Sequence, residues 1–259
     1  MYHLIVKSKQ TDKKFEDKIK AVKDIFERAG KELKVHLTAH AGHAKEIAAS
    51  LTKGGQFAHL IAMGGDGTLH EVLNGIEDVE QCTLGLIPHG TGNDFAATVK
   101  IPKDATAAAE IIAFRAPQTI DYIELDDGLR SINAVGAGID VDILKRRIAS
   151  GKSYLKAFKE SLFRYKGINF KISVDGGEPI EQKCLIACLG NGKQIGGGIK
   201  LFPEAEVDDG YINLFYVKCL SRLKTLSAFM KLMSGKANKI KEATHVVCKS
   251  ASVVCTDGD

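Results

Sequence analysis

Asp66 and four glycines occur together in "HLIAMGGDGTLHEVLNG", residues 59–75, between an apolar run and a run with helical spacing. Gly64, Gly65 and Gly67 flank Asp66. Glycine can take positive φ and lets phosphate oxygens approach main-chain amides where a strand turns into a helix. A carboxylate beside phosphates needs a divalent metal or a transferable proton, and phosphoryl transfer supplies both. The stretch therefore predicts polyphosphate binding, with a purely structural strand-to-helix turn as the alternative.

A second glycine-rich loop, "GLIPHGTGNDFA", follows the next apolar run. Gly90 and Gly92 bracket Thr91, and Asn93 and Asp94 then open a helix. In an open α/β sheet, turns after neighbouring strands lie at the carboxyl edge, where ligands bind. The two loops together therefore predict a nucleotide cradle.

Other sequence motifs give weaker indications of a functional site. "SGKS" at 150–153 resembles the end of a P-loop, but Arg146 stands where the first P-loop glycine is required. His40 and His43 are three residues apart, yet no matching carboxylate or cysteine is evident in the sequence, so we expect solvated side chains rather than a metal site. The six cysteines form no C-x-x-C pair, which favours reduced thiols, mostly in the core.

The composition is that of a globular protein, with 259 residues, 44% apolar and 26% charged residues. A net charge of +4 is too small to indicate nucleic acid as a partner. No apolar run approaches the roughly 18 to 20 residues that would span a bilayer, and the N-terminus lacks the features of a secretory signal. We therefore expect a cytoplasmic protein.

The first half of the chain alternates between strand and helix patterns, which predicts a parallel sheet covered on both faces. The expected strands are "HLIV", "LKVHLT", "AHLIAM" and "CTLGLI", and the expected helices are 15–28, "AKEIAASL" and 69–76. From residue 117 onward, short alternating runs from "QTIDYIEL" to "ASVVCT" predict an antiparallel sandwich, interrupted by helices near 141–166 and 221–234. The sequence thus predicts two domains, 1–120 and 121–259.

These residues match a family. "GGDGTLHEVLNG" followed by "PHGTGNDFA" closely resembles the catalytic domain of the diacylglycerol kinase and sphingosine kinase superfamily, especially soluble bacterial lipid kinases. The resemblance continues through "INAVGAGID", "GNGKQIGGGIKLFPEAEVDDGYINL" and the final "DGD", and so covers almost the whole chain. It implies an α/β domain like that of NAD kinase and phosphofructokinase, a β-rich sandwich domain, and ATP-dependent phosphorylation of a lipid hydroxyl. Diacylglycerol would give phosphatidic acid.

The resemblance also implies roles for individual residues. Asp66 would face the reacting γ-phosphate and its Mg²⁺, and either Asp66 or Asp259 would accept the hydroxyl proton. A structural Mg²⁺ would bind Glu206, Asp209 and the main chain of Tyr211, unless these acids merely form a hairpin turn. The implied ATP contacts are Thr38, Gly64, Gly65, Asp66, Gly67, Thr68, Leu69, His70, Gly90, Thr91, Gly92 and Asn93.

Two features depart from the family pattern. Lys7 and Ser8 stand where relatives have Asn-Pro and a glycine-containing loop, so the loop that closes over nucleotide is altered. Relatives carry Asp-Gly-Glu and continue past it, whereas this sequence ends at Asp257-Gly258-Asp259. We therefore expect a C-terminus that is clipped or naturally short.

A kinase of lipids must reach a membrane surface. Segments 143–167 and 217–241 combine many lysines and arginines with apolar residues at helical spacing, which favours peripheral contact with an anionic membrane. The alternative is that each helix packs its apolar residues on the sandwich and exposes its basic face to water. Exposed edge strands are compatible with a homodimer. Two other functions remain open from the sequence: a kinase of a soluble substrate, similar to NAD kinase, and a nucleotide-binding regulatory protein without turnover.

Overall fold

The computed structural model describes residues 1–7, 13–150 and 154–257. The chain divides into two compact units, residues 1–132 and 133–259. The division lies beyond the expected position at residue 120 because a short hairpin after that point is attached to the first unit. The Asn74 side chain accepts a hydrogen bond from the backbone N–H of Arg130 at 2.8 Å and donates one to its carbonyl at 2.8 Å.

The first unit is built on a parallel four-stranded sheet in the order β2-β1-β3-β4. Its strands are β1 (Tyr2–Val6), β2 (Leu33–Leu37), β3 (Ala58–Gly64) and β4 (Cys82–Pro88), and the attached hairpin is β5 (Ile123–Glu124) and β6 (Arg130–Ser131). Its helices are α1 (Lys13–Arg28), α2 (His43–Thr52), α3 (Asp66–Leu73), α4 (Asp94–Thr98) and α5 (Ala105–Phe114). Six of the seven residues of β3 are buried, as expected for a strand covered on both faces.

Helix α5 was not expected from the sequence, because its alanines form no clear apolar stripe. In the structure these alanines, Ala105, Ala108, Ala109 and Ala113, are buried in one cluster with the apolar stripe of α1. Small side chains let the two helices approach closely. The first-unit core therefore contains these alanines together with Phe15 and Phe26.

Helix α3 begins at Asp66 and ends at Leu73, rather than running from Leu69 to Ile76 as the sequence suggested. The early start follows from two hydrogen bonds to the Gly65 carbonyl, from the amide of Thr68 at 3.0 Å and from that of Leu69 at 3.1 Å. The glycine motif therefore includes the first turn of the helix.

The second unit is an antiparallel sheet in the order β11-β10-β9-β8-β12, with β7 also pairing β9. Its strands are β7 (Ala134–Gly138), β8 (Ile168–Val174), β9 (Ile180–Gly190), β10 (Ile212–Lys218), β11 (Ala243–Cys248) and β12 (Ala251–Cys255). Its helices are α6 (Ile139–Ser150), α7 (Tyr154–Arg164) and α8 (Arg222–Met233). The expected fold class, a parallel α/β domain followed by an antiparallel β-rich domain, is confirmed.

The sheet of the second unit is buried on both faces, as the alternation along β10 shows. Leu214 and Tyr216 pack in one apolar cluster, whereas Phe215 and Val217 pack in another. Cys184, Cys188 and Cys248 are buried, as expected for cysteines of the core, whereas Cys82 and Cys219 are half-buried and Cys255 is exposed. Over the described residues, no helix has the length and apolarity that crossing a bilayer requires.

Two expected elements differ in extent. The run "QTIDYIEL" forms only the two-residue strand β5, since a tight turn follows in which the Gly128 amide bonds to the Leu125 carbonyl at 2.8 Å. Helix α6 begins at Ile139, two residues before the expected position, directly after Gly138 at φ 129°.

Candidate nucleotide-binding site

The first glycine loop is the turn from β3 into α3, and each of its glycines has a different structural reason. A Cβ on Gly64 would collide with the Thr68 side chain, which packs against the Gly64 backbone. Gly65 is the N-cap of α3 in extended conformation. Gly67 is exposed, and a Cβ there would meet no atom within 4 Å. Packing therefore explains Gly64, whereas the space beside the Gly67 Cα is open.

Only part of the expected phosphate-binding run offers donors. The amides of Thr68 and Leu69 bond to Gly65, and the Leu69 side chain is buried in the core at 2% exposure. The amides of Asp66 and Gly67 lie in the first helical turn, where no intrahelical carbonyl is available. These two amides, with the positive end of the helix dipole behind them, suit an anionic ligand.

The second glycine loop is closed by Asn93. Its side-chain oxygen accepts the Gly90 amide at 3.0 Å and its side-chain nitrogen donates to the Gly90 carbonyl at 2.8 Å. Asn93 is buried and lies in the left-handed region at φ 54°, where asparagine is more readily tolerated than most residues. Thr91 lies exposed at the tip of the loop that this clamp defines.

The two glycine loops are in backbone contact. The His89 amide donates to the Gly64 carbonyl at 2.7 Å, and a Cβ on Gly65 would lie 3.0 Å from the Gly90 Cα. Asp66 Oδ1 accepts the amide of Phe95, the second residue of α4, at 3.3 Å. The structure thus brings the glycine loops together at one edge of the sheet, as the sequence predicted.

Other groups lie at the same carboxyl edge. Thr38 follows β2 and is buried, and its amide bonds to the Val6 carbonyl at the end of β1 at 2.9 Å. Lys18 Nζ lies 3.5 Å from His89 Nδ1 beside the second loop. Burial first, and then the Lys18 charge, lower the pKa of His89, so that its ring stays neutral beside the ammonium group.

Sequence reasoning did not single out Asp94 as a site residue. This carboxylate is the first residue of α4, is only 5% exposed, and follows the Asn93 clamp directly. The sequence does contain a feature that could have identified Asp94, since this residue directly follows the second glycine motif. A buried carboxylate next to the loop is a candidate for positioning charge at the site.

The acids expected to bind a structural Mg²⁺ lie before β10 in the second unit. Glu206 forms an ion pair with Lys193 at 3.1 Å, and Asp209 Oδ1 accepts the Tyr211 amide at 3.0 Å. Gly210, at φ 74°, completes this turn. The donors are exposed oxygens of the type that Mg²⁺ prefers, so the residues fit the ion, with Lys193 as a competitor for Glu206.

A half-buried acid in the second unit was also not identified from the sequence. Asp140, near the start of α6, has one carboxylate oxygen with no hydrogen-bond partner among the described residues. Burial raises its pKa, although the backbone amides of Val141 and Asp140 itself oppose the shift. Its carboxylate lies against Gly136, and this contact explains a glycine of the "INAVGAGID" motif.

The second unit also contains a cavity of about 500 Å³ beside α6, α7 and α8. Its apolar walls include Leu162, Leu185 and Leu220, and its cationic residues are Arg164, Lys166, Lys183 and Arg222. A cavity lined by both apolar and basic side chains suits an amphiphile.

Some expected residues lie outside the described part of the chain, namely Asp259, Ser8 and several side chains of the basic segment 143–167. Asp257, two residues before the expected proton acceptor, is described. Its carboxylate accepts the Asn169 amide at 2.8 Å, and this bond lowers its pKa.

Two family models match the chain, and they divide it near the division between the two structural units. Residues 1–125 match the model described as diacylglycerol kinase catalytic domain, and residues 133–258 match the YegS C-terminal NAD kinase beta sandwich-like domain.

Similar curated proteins agree with these models, and a solved structure shares the fold. A diacylglycerol kinase of Staphylococcus saprophyticus is 33% identical over 238 residues, which are 88% of this chain and 76% of the relative. A diacylglycerol kinase of Staphylococcus aureus strain JH9 is 32% identical over 237 residues, covering 88% of this chain and 74% of the relative. The crystal structure of a diacylglycerol kinase from Bacillus anthracis superposes with a TM-score of 0.78 at 24% identity, covering 99% of this chain and 86% of the other.

Proposed function

Because this chain belongs to the diacylglycerol kinase family and is a phosphotransferase with an alcohol acceptor that uses ATP, we propose that it phosphorylates the hydroxyl of diacylglycerol to give phosphatidic acid. The contact between the two glycine loops at Gly65 and Gly90 carries this proposal. It gathers main-chain donors and the Asp66 carboxylate at one place on the sheet edge. Such a site can hold a triphosphate and accept a proton.

In the proposed mechanism, the first-turn amides of Asp66 and Gly67 hold phosphate oxygens while the lipid hydroxyl attacks the γ-phosphorus in line. A new oxygen–phosphorus bond forms, the bond from the bridging oxygen to the γ-phosphorus breaks, and ADP leaves. The hydroxyl proton passes to a carboxylate, Asp66 or Asp259. Mg²⁺ would supply charge neutralisation on the phosphates when bound, and positioning by the loops supplies much of the rate.

We propose the second Mg²⁺ as a structural ion on Glu206, Asp209 and the Tyr211 carbonyl. It would fix the turn that leads into β10. No chemical step depends on it.

Two features favour a lipid over a soluble acceptor. The cavity of the second unit joins apolar walls to four cationic residues, which suits hydrocarbon together with an anionic product head group. Helix α8 exposes a stripe of large apolar residues at spacings of three or four, namely Leu223 at 82%, Leu226 at 43%, Met230 at 61% and Met233 at 51% exposure. Lys224 and Lys231 lie on the same helix, which has no acid. This composition fits an anionic bilayer surface.

The transfer assay uses the purified chain with MgATP and short-chain diacylglycerol, beside a sphingoid base, NAD and a sugar phosphate. Asp66→Asn keeps the oxygen that bonds to Phe95 but cannot accept a proton, so we expect turnover to fall by about 10²- to 10⁴-fold with the fold retained. Asp24→Asn, an exposed acid on α1, is the matched control. Wild-type turnover in Asp66→Asn would exclude the role given to Asp66, and transfer to a soluble acceptor alone would exclude the lipid.

Membrane contact is tested by co-sedimentation with vesicles of phosphatidylglycerol or of phosphatidylcholine. We expect binding to the anionic vesicles only, and its loss in the double variant Leu223→Asp, Met230→Asp. Phe114→Asp, at a residue 61% exposed in the first unit, is the control. Equal binding of the double variant and the control would show that α8 is not the contact surface.

A further inference from the structure

Three side chains with metal-binding groups form a cluster that the proposed reaction does not use. His40, His43 and Glu46 each offer one ligand atom, and these atoms all lie within 4.8 Å of one another. His43 and Glu46 are three residues apart on α2 and so share a helix face. His40 precedes the helix and is brought back to it by Gly42, at φ 85°. The helix thus supplies the carboxylate that the sequence alone did not pair with the histidines.

The hydrogen bonds of His40 orient its ring as a ligand. His40 Nδ1 lies 2.9 Å from the Ala41 carbonyl, which can only accept, so the proton of the neutral ring is on Nδ1. The lone pair is therefore on Nε2, which lies 4.0 Å from Glu46 Oε2. A backbone carbonyl that fixes the tautomer of a histidine in this way is the usual outer-shell arrangement of metal-binding histidines.

His43 is the weakest of the three ligands. Its Nδ1 accepts the Ala39 amide at 2.9 Å, so the proton of the neutral ring is on Nε2. Its ring stacks on that of His40 with centroids 4.8 Å apart. His43 can ligate only after its Nδ1 gives up the Ala39 bond, whereas the lone pair on His40 Nε2 is already available.

We propose that His40, Glu46 and, more weakly, His43 bind a divalent ion of the Zn²⁺ type, with water at the remaining position. Imidazole nitrogen with one carboxylate selects Zn²⁺, Ni²⁺ or Cu²⁺, whereas Mg²⁺ prefers oxygen ligands. The side chains of His40 and Glu46 are 58% and 65% exposed, so an ion can enter and leave without unfolding. The site begins two residues after Thr38 in the chain. Its ligands are imidazole nitrogens and a carboxylate, whereas the phosphate-binding loops offer mainly backbone amides.

The test titrates the full chain with ZnCl₂ against a chromophoric chelator in excess Mg²⁺, and records the visible spectrum of the Co²⁺-substituted site. We expect one equivalent to bind. His40→Ala and Glu46→Gln lower the Zn²⁺ affinity by at least about tenfold, a loss that even an outer-shell partner causes. His43→Ala lowers it by less.

Cys255→Ser is the control, because Cys255 is an exposed thiol that could also bind zinc. His40→Gln is a second variant if His40→Ala does not fold, and thermal melting checks each protein. Three results would overturn the site: no Zn²⁺ binding, unchanged affinity in His40→Ala and Glu46→Gln, or loss of binding in Cys255→Ser.

Discussion

Replacing Gly90 with alanine tests the contact between the two loops most directly. The added Cβ would collide with the Gly65 Cα, and both partners are backbone that no rotamer change can move aside. The loops must separate by about 1 Å to reach ordinary van der Waals contact, and forcing a methyl group into a packed contact costs about 1–3 kcal/mol. A misplacement of about 1 Å near reacting groups costs on the order of 100-fold in rate.

The glycines of the two loops form a graded series. At Gly65 an added Cβ would lie 3.0 Å from the Gly90 Cα, so the neighbouring atoms must shift by only a few tenths of an ångström. At Gly67 it meets nothing within 4 Å, and alanine in place of a helical glycine stabilises by about 0.4–1 kcal/mol. We therefore expect the melting temperature to fall most in Gly90→Ala, less in Gly65→Ala, and to stay or rise in Gly67→Ala.

Thermal unfolding without nucleotide gives the stability series, and calorimetric titration with an ATP analogue gives the affinities. In a chain of this size, about 1 kcal/mol corresponds to roughly 2–4 °C in melting temperature. Gly67→Ala distinguishes stability from nucleotide affinity. Its methyl group would face the phosphates and lower the affinity for nucleotide, while the melting temperature stays the same or rises. The reasoning is refuted if Gly90→Ala melts at or above the temperature of Gly67→Ala.

Three further predictions concern other parts of the chain. His3 Nδ1 and His36 Nε2 lie 3.0 Å apart, and burial is the main cause that lowers the pKa of both below 6.5. The unfolded chain therefore takes up protons at higher pH than the native one, so the free energy of unfolding falls as pH drops below about 6.5. Urea unfolding at a series of pH values should show that the free energy of unfolding falls less steeply with decreasing pH in His36→Gln than in the parent. Asn74→Ala leaves the Arg130 amide and carbonyl unpaired and should cost about 1–3 kcal/mol by urea unfolding, and an unchanged midpoint would contradict the hairpin contact. Lys193→Met removes the competitor ammonium, so Mg²⁺ should raise the melting temperature at lower concentration than in the parent; an identical Mg²⁺ dependence would count against the proposed structural ion.

The strands and most helices could be predicted from periodicity because burial on one or both faces leaves a regular apolar pattern. The pattern does not reveal contacts between distant turns. Gly65 and Gly90 touch because β3 and β4 are neighbours in the sheet. The amino-acid sequence contains both glycines but does not give the distance between them in the fold. For the same reason Glu46 was not matched with His40, since only the folded turn at Gly42 brings them together.

The first turn of α3 was placed too late because glycine is read as a helix breaker. Its amides need no intrahelical partner there, so the cost of glycine is small at that position. Helix α5 was missed for the opposite reason, because alanine carries little hydrophobic signal although it packs well.

The bidentate closure of the second loop by Asn93 has a thermodynamic consequence. A loop that is already locked to itself loses little conformational freedom when a ligand arrives, so its preorganisation lowers the entropic cost of association. An aspartate at that position could accept from the Gly90 amide but could not donate to the Gly90 carbonyl. The amide group therefore determines how rigid the empty loop is.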